Sequence, residues 1–111
     1  MNYELKKKWV WALRSGLYKQ GTKFLHVYSD EGRNNTFCPL GVLVDICGEE
    51  WVKGDFSAMT IFDEPQILPK NLMKKYGLSS DEVYVITMLN DRSLYSFEQI
   101  ATYIARNVPG V

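Results

Sequence analysis

The spacing of apolar residues predicts an amphipathic helix near the start of the chain. Leu5, Trp9 and Leu13 recur every four residues, which places them on one face of an α-helix. We expect this helix to occupy residues 4–15. Trp11 lies off that face, and we expect the rest of the fold to cover it.

The next part of the chain alternates strand-forming runs with turn-forming residues. Residues 22–29 (TKFLHVYS) are rich in aromatic and β-branched side chains and are predicted to form a strand. Residues 30–35 have the composition of a hairpin loop. After this loop, residues 36–38 would pair with the strand predicted at residues 22–29. The pattern also predicts a turn at residues 18–21 and an extended stretch at residues 49–62 that turns at residues 53–55.

An apolar segment near the middle of the chain predicts a buried central helix. Pro39 suits the first position of a helix, and residues 40–47 (LGVLVDIC) are apolar on nearly every side before Gly48 ends the run. Gly41 costs this helix about 1 kcal/mol relative to alanine. We therefore expect another element to approach the backbone of Gly41 closely.

Two capping boxes predict helices in the last third of the chain. Ser79 with Glu82, and Ser96 with Gln99, have the residue types and spacing that satisfy the first backbone donors of a helix. A strand is the alternative for residues 83–87, which have strong β-propensity. The other expected elements are a short helix at residues 69–76, a helix at residues 80–89, a turn at residues 90–95 and a final helix from residue 97.

Together these elements predict one compact α+β domain over residues 1–111. A small antiparallel sheet from residues 22–62 would pack with about four to five helices. A chain of 111 residues has the usual size of a single domain and can bury a core without metal ions or disulfide bonds. We expect no cofactor and no metal.

The charge of the chain is zero overall but unevenly distributed. Residues 1–25 carry six basic side chains against one acidic, and residues 26–66 carry two against eight. Nucleic-acid binders usually show a basic excess over the whole domain, so a nucleic-acid partner is disfavoured. We expect the basic end to meet the acidic middle of its own chain or of a second copy, which leaves a homo-oligomer open.

The sequence has the features of a reduced, cytoplasmic protein. It lacks the run of about 20 apolar residues that a membrane helix needs, and no secretory signal follows Lys6, Lys7 and Lys8. Cys38 and Cys47 stand nine residues apart, on opposite faces of the predicted helix and too far apart along it for a disulfide bond. We expect no membrane contact.

Cys38 is the strongest candidate for catalysis in the sequence. It precedes a predicted helix, whose dipole lowers a thiol pKa, and His26 on the neighbouring strand is its candidate base. A packed, unreactive Cys38 is the preferred interpretation, because Phe37 and Leu40 flank it and free cysteines are commonly buried. Cys38, Cys47 and His26 are too few ligands for a zinc site. Because neither a reactive cysteine nor a metal site is favoured, we expect a non-enzymatic protein.

Three segments of the chain resemble a family of small uncharacterised proteins found mainly in phages, prophages and some bacteria. They are WVWALRSGLYKQG at residues 9–21, FCPLGVLVDI at residues 37–46, and LND with SFEQIATYI within residues 89–104. Pro39 stands where the family pattern has a second cysteine, and His26 matches no position of it. The resemblance implies a phage accessory protein in a bacterial cytoplasm, without a known activity. The polar residues that it singles out are Arg14, Tyr18, Gln20, Asn90 and Asp91.

Two hypotheses for function follow. The first is a non-enzymatic module that binds a host or phage protein through an aromatic surface. The alternative is a pocket that captures a small anionic ligand such as a nucleotide signal, with Arg14, Lys19 or Lys23 on phosphate and Tyr18 stacked on a base. Each of the predicted binding residues also has a structural interpretation, as a helix cap or as part of a turn.

Overall fold

The computed structural model describes residues 1–28, 35–54, 58–61 and 64–111. These residues contain five α-helices and five short strands, and they form the predicted α+β fold. The helices are α1 (Tyr3–Arg14), α2 (Pro39–Ile46), α3 (Lys70–Tyr76), α4 (Ser80–Asp91) and α5 (Phe97–Asn107). The strands are β1 (Lys19–Gln20), β2 (His26–Val27), β3 (Thr36–Phe37), β4 (Val52–Lys53) and β5 (Met59–Thr60).

Helices α1 and α5 pack against each other and run antiparallel. Near the start of α1, the Lys6 ammonium donates a hydrogen bond to the carbonyl of Ala105, at 3.0 Å. At the other end of α1, Arg14 Nε lies 3.2 Å from Glu98 Oε1, in the first turn of α5. The buried Trp9 of α1 also donates a 2.8 Å hydrogen bond to the carbonyl of Pro39. The first helix therefore contacts both the last helix and the central one.

Helix α2 forms the centre of the core, as predicted. All of its residues from Pro39 to Val44 are buried. Cys38 caps its first turn, since the Cys38 sulfur accepts a hydrogen bond from the backbone N–H of Gly41. A β-carbon at Gly41 would overlap the backbone carbonyl of Leu25, which confirms the close approach expected at this glycine.

The strands form one mixed sheet and one antiparallel pair instead of a single antiparallel sheet. In the first sheet the order is β1-β3-β2, with β1 parallel and β2 antiparallel to β3. Strands β4 and β5 pair antiparallel, and a bridge between Val27 and Ala58 connects β2 to the residue before β5. The predicted return of residues 36–38 onto the preceding strand is confirmed by the pairing of β2 with β3.

Two predictions for the segment before β3 are wrong. Residues 18–21 contain strand β1 and are not only a turn. Of the strand predicted at residues 22–29, the described residues 22–28 contain only the two residues of β2, because the positive φ of 72° at Lys23 interrupts an extended conformation. The backbone N–H of Leu25 donates a 2.9 Å hydrogen bond outside the sheet, to the carbonyl of Pro65. Of the hairpin loop predicted at residues 30–35, only Asn35 lies within the described residues.

The helical signals of the last third are confirmed, with one change of boundary. Both capping boxes are present, at Ser79 and at Ser96, and α4 is a helix rather than the alternative strand. It continues through Asn90 and Asp91, so the turn predicted at residues 90–95 begins later than expected. In this longer helix the side chain of Asn90 makes hydrogen bonds inside the protein.

Candidate functional site

The side chain of Gln20 joins strand β1 to the corner between α4 and α5. Its Nε2 donates to Asn90 Oδ1 and to the carbonyl of Tyr95, each at 2.7 Å. Its Oε1 accepts a 3.1 Å hydrogen bond from the backbone N–H of Phe97. One amide side chain thus bonds to three positions that lie at least 70 residues away along the sequence.

The same network includes Asn90 and Asp91. Fully buried Asn90 donates through Nδ2 to the carbonyl of Gly21 and to Asp91 Oδ1, both at 2.9 Å. Asp91 Oδ1 also accepts a 3.0 Å hydrogen bond from the backbone N–H of Lys23. Four of the predicted binding residues therefore come together in what we call the Gln20–Asn90 network. Their hydrogen bonds connect parts of the fold, and a role in ligand binding stays a prediction.

Tyr18 belongs to a different group, centred on Asp45 of α2. The Tyr18 hydroxyl donates to Asp45 Oδ2 at 2.6 Å, and Trp51 Nε1 donates to Asp45 Oδ1 at 3.0 Å. Burial, together with the hydrogen bond and the charge of Asp45, raises the pKa of Tyr18. The rings of Tyr18 and Phe37 meet edge-on, with 4.9 Å between their centres. One side of the Tyr18 ring is therefore packed within the fold.

His26 lies in the same aromatic cluster and is 8% exposed. Its ring stacks on Phe37 at 4.1 Å and meets Trp51 edge-on at 4.9 Å. Neither ring nitrogen makes a hydrogen bond to the described residues. Burial lowers the pKa of His26, an effect that nearby Asn35 and Asp45 oppose in part. The structure therefore favours a neutral imidazole at this position.

Cys38 has the packed environment that its sequence neighbours predict. It is buried, and desolvation raises the pKa of its thiol to about 12 in spite of the hydrogen bonds from the helix amino terminus. A thiol with this pKa is almost wholly protonated at neutral pH, whereas the thiolate is the nucleophile. The geometry therefore supports a structural Cys38.

Arg14 pairs with the last helix and not with the acidic middle of the chain. Its guanidinium lies 3.2 Å from Glu98 and donates a 3.1 Å hydrogen bond to Thr102 Oγ1. Within the described residues, the expected pairing of the basic end with the acidic residues of segment 26–66 is therefore not found for this arginine. The reason is the packing of α1 on α5, which brings a carboxylate of α5 closer to it.

Trp11 is the largest departure from the sequence-based expectations, because it is not covered. Its side chain is 64% exposed, and that of Tyr3 on the same helix is 52% exposed. Both border an open groove of about 480 Å³ along α1 and α5, which we call the α1 groove. The residues that line it are Tyr3, Lys6, Lys7, Val10, Trp11, Arg14 and Ala105.

Of the predicted binding residues, Arg14 lines the α1 groove. Sequence reasoning missed Tyr3, Lys6 and Val10 as candidates. The available signal was Trp11, a large aromatic residue that the helical period places away from the buried face. Lys7 was noted only for its charge, yet its ammonium lies 5.3 Å from the centre of the Tyr3 ring, within the range of a cation–π contact.

A second, smaller groove of about 280 Å³ lies along α4. Exposed Ile67 and Tyr84 border it, with Leu68, Met73 and Val83 among the other lining residues. None of the described residues that line this groove is charged. The α4 groove is therefore an uncharged surface, whereas the α1 groove is both aromatic and basic.

The described part of the chain offers no cluster of three or more His, Cys, Asp or Glu side chains arranged to hold a metal ion. Within the same residues, every helix is too short or too polar to cross a membrane.

The fold and its surface define an α+β domain with an aromatic, basic groove between its first and last helices. The chain belongs to the family described as domain of unknown function DUF8296, which it matches over residues 1–108. This membership confirms the predicted resemblance to an uncharacterised family. Comparison with curated proteins and with solved structures gave no match.

Proposed function

We propose that this protein is a non-enzymatic module that binds another protein through the α1 groove. The observation that carries the proposal is the exposure of Trp11, at 64%, on a helix whose other face is buried in the core. Tryptophan, tyrosine and arginine are the residues most enriched at the energetic centres of protein interfaces. Trp11, Tyr3 and Arg14 all line this groove.

The arrangement of these side chains suits a partner protein segment. Tyr3, Lys7, Val10 and Arg14 follow one another at spacings of four, three and four residues, so they form a single stripe on α1. The stripe is about 16 Å long at 1.5 Å per residue. When a groove binds a helix, the contacts recur every three or four residues over a stripe of similar length.

The resemblance to phage and bacterial proteins suggests where such a partner would be found. We propose a host or phage protein in a bacterial cytoplasm, contacted by a phage-type accessory protein. The high pKa of buried Cys38 supports a role without covalent chemistry.

A small anionic ligand such as a nucleotide signal is the second candidate. Lys6, Lys7 and Arg14 line the groove together with exposed Trp11, a combination that suits a phosphate group and a stacked base. The groove volume of about 480 Å³ is within the range of small-molecule sites. Tyr18, by contrast, uses its hydroxyl on Asp45, which favours Trp11 over Tyr18 as the stacking residue.

Selection from a random peptide library displayed on a carrier tests the protein-binding proposal. We expect the wild-type protein to enrich a set of peptides, and Trp11→Ala to weaken their binding about thirtyfold, the loss typical of a central interface residue. Leu17→Ala is the matched control, because Leu17 is also exposed but does not line the groove. It should leave binding unchanged.

Circular dichroism and thermal melting would establish that both variants fold. A selection that yields no peptides dependent on Trp11 would contradict the proposal. Displacement of selected peptides by a nucleotide mixture at constant ionic strength would instead favour the second candidate.

A further inference from the structure

The described residues that line the α1 groove carry charge of one sign, whereas the whole chain carries both signs equally. Three of its described lining residues are basic (Lys6, Lys7 and Arg14), and none is acidic. The chain as a whole has a formal net charge of zero. A basic groove on a neutral domain is a local feature that attracts negative charge to one place.

Carboxylates of the chain itself already pair with two of these bases. Arg14 Nε lies 3.2 Å from Glu98 Oε1, and Lys7 Nζ lies 3.9 Å from Glu4 Oε2. The Lys7–Glu4 pair is largely exposed to solvent and the Arg14–Glu98 pair is partly exposed, and ion pairs that are open to solvent contribute little to stability. A carboxylate brought by a partner can therefore replace Glu98 or Glu4 at small cost.

We propose that the partner presents an acidic amphipathic helix to the α1 groove, an inference that rests on the protein-binding function proposed above. Lys7 and Arg14 are two helical turns apart, about 10 Å. Carboxylates seven residues apart on the partner helix would reach both bases. Apolar side chains between them would cover Val10 and the ring of Trp11, giving the helix an apolar stripe flanked by acidic positions.

The geometry favours this partner over a nucleic acid. Aromatic and aliphatic residues alternate with the bases along the stripe (Tyr3, Lys7, Val10, Arg14), which matches alternating apolar and acidic side chains. A phosphate backbone instead carries a charge at every nucleotide, and its binders usually have a basic excess over the whole domain.

The peptides selected on the wild-type protein test the inference. We expect those that depend on Trp11 to contain more acidic than basic residues, with acidic residues recurring seven positions apart. Replacing the acidic residues of a selected peptide by their amides should weaken its binding about tenfold in fluorescence anisotropy. Raising the salt concentration should remove most of this difference, because salt screens exposed charges.

Glu98→Gln gives the sharper test, because it removes the carboxylate that competes for Arg14. We expect it to tighten the binding of the acidic peptide about threefold, while Arg14→Gln weakens it about tenfold. The control is Glu50→Gln, an equal change of charge at an exposed residue outside the groove, which should leave the affinity unchanged.

The outcomes separate this inference from the proposed function. Selected peptides whose binding depends on Trp11 but which show no excess of acidic residues would overturn the proposal of an acidic helix. They would leave the proposed protein-binding function intact. Equal effects of Glu98→Gln and Glu50→Gln would also overturn it, since affinity would then follow only the total charge. Preferential binding of a single-stranded oligonucleotide over every selected peptide would overturn both proposals.

Discussion

At the scale of single residues, His26 combines burial with a titratable ring. It is the only histidine of the chain. Its ring stacks on Phe37 and meets Trp51 edge-on, without a hydrogen bond from its nitrogens to the described residues. Such an environment disfavours the charged imidazolium, which is why burial lowers its pKa. The charge state of this one residue therefore links the stability of the protein to pH.

We predict that His26 makes the protein less stable as the pH falls below about 6.5, the ordinary pKa of histidine. Below that value the unfolded chain binds a proton that the folded protein resists, so the free energy of unfolding decreases until the folded-state pKa is reached. Above it, both states are neutral and the effect vanishes. Urea unfolding of wild type and His26→Phe at neutral and mildly acidic pH measures the difference.

The His26→Phe variant keeps an aromatic ring at this position but cannot be protonated. We expect its stability to fall less than that of wild type over this pH range. Carboxylates titrate in both proteins, so their contribution cancels in the comparison. Parallel stability profiles for the two proteins would show that His26 is protonated as readily in the folded state as in the unfolded one.

Cys38 gives a second prediction at this scale. In a Cys47→Ser background, where Cys38 is the remaining thiol, the folded protein should react with a thiol reagent about a thousandfold more slowly than a free model thiol. The reason is the pKa of about 12 that burial gives this thiol, since the thiolate is the reacting form. The same variant unfolded in urea serves as the control and should react at the ordinary rate. Labelling of the folded protein faster than the model thiol would return Cys38 to the list of candidate nucleophiles.

The exposure of Trp11 illustrates what a sequence leaves undetermined at a single residue. The helical period correctly separates Trp11 from buried Trp9. Whether a second element covers the opposite face of α1 depends on the packing of helices that are distant in sequence. The sequence pattern therefore locates the residue on the helix but does not predict its neighbours.

At the scale of elements, the helices were predictable and the strands much less so. Capping boxes, Pro39 and helix-ending glycines act within one or two turns of the chain, so their effects are visible in the sequence. The pairing of β1 with β3 depends on a partner beyond residue 35. A two-residue strand such as Lys19–Gln20 also has no alternating pattern to detect.

The Gln20–Asn90 network was predictable only as a set of residues. The resemblance singled out Gln20, Asn90 and Asp91, yet it did not reveal that they bond to one another. Asn90 was expected in a turn, and in the structure it is a buried residue of α4. A polar residue on a buried helix face is a signal that a partner side chain is required.

We predict that Gln20→Ala destabilises the protein by about 1–3 kcal/mol, because it removes hydrogen bonds to the buried residues Asn90 and Phe97. The affected groups are Asn90 Oδ1 and the backbone of Tyr95 and Phe97. Gln66→Ala is a matched control at an exposed glutamine. Urea unfolding at neutral pH measures both variants. A change for Gln20→Ala no larger than that of Gln66→Ala would mean that water replaces the lost bonds.

At the scale of the whole molecule, the α+β class and the single domain are consistent with the packing of all five described helices around one core. The charge distribution was a poorer guide. The basic end was expected to be attracted to the acidic middle of the chain. Arg14 instead pairs with Glu98 of α5. The α1 groove likewise depends on which helices become neighbours, and that information is not local in sequence.

The contact between α1 and α5 also determines when the protein can fold during its synthesis. Trp9 and Leu13 are synthesised well before the last helix against which α1 packs, because that helix begins only at Phe97. The Gln20–Asn90 network closes a loop of similar length. Contacts between such distant positions slow folding. A nascent chain that has not yet reached residue 97 therefore keeps exposed the part of α1 that α5 covers in the folded protein. This surface is then open to proteases, chaperones and association with other unfinished chains.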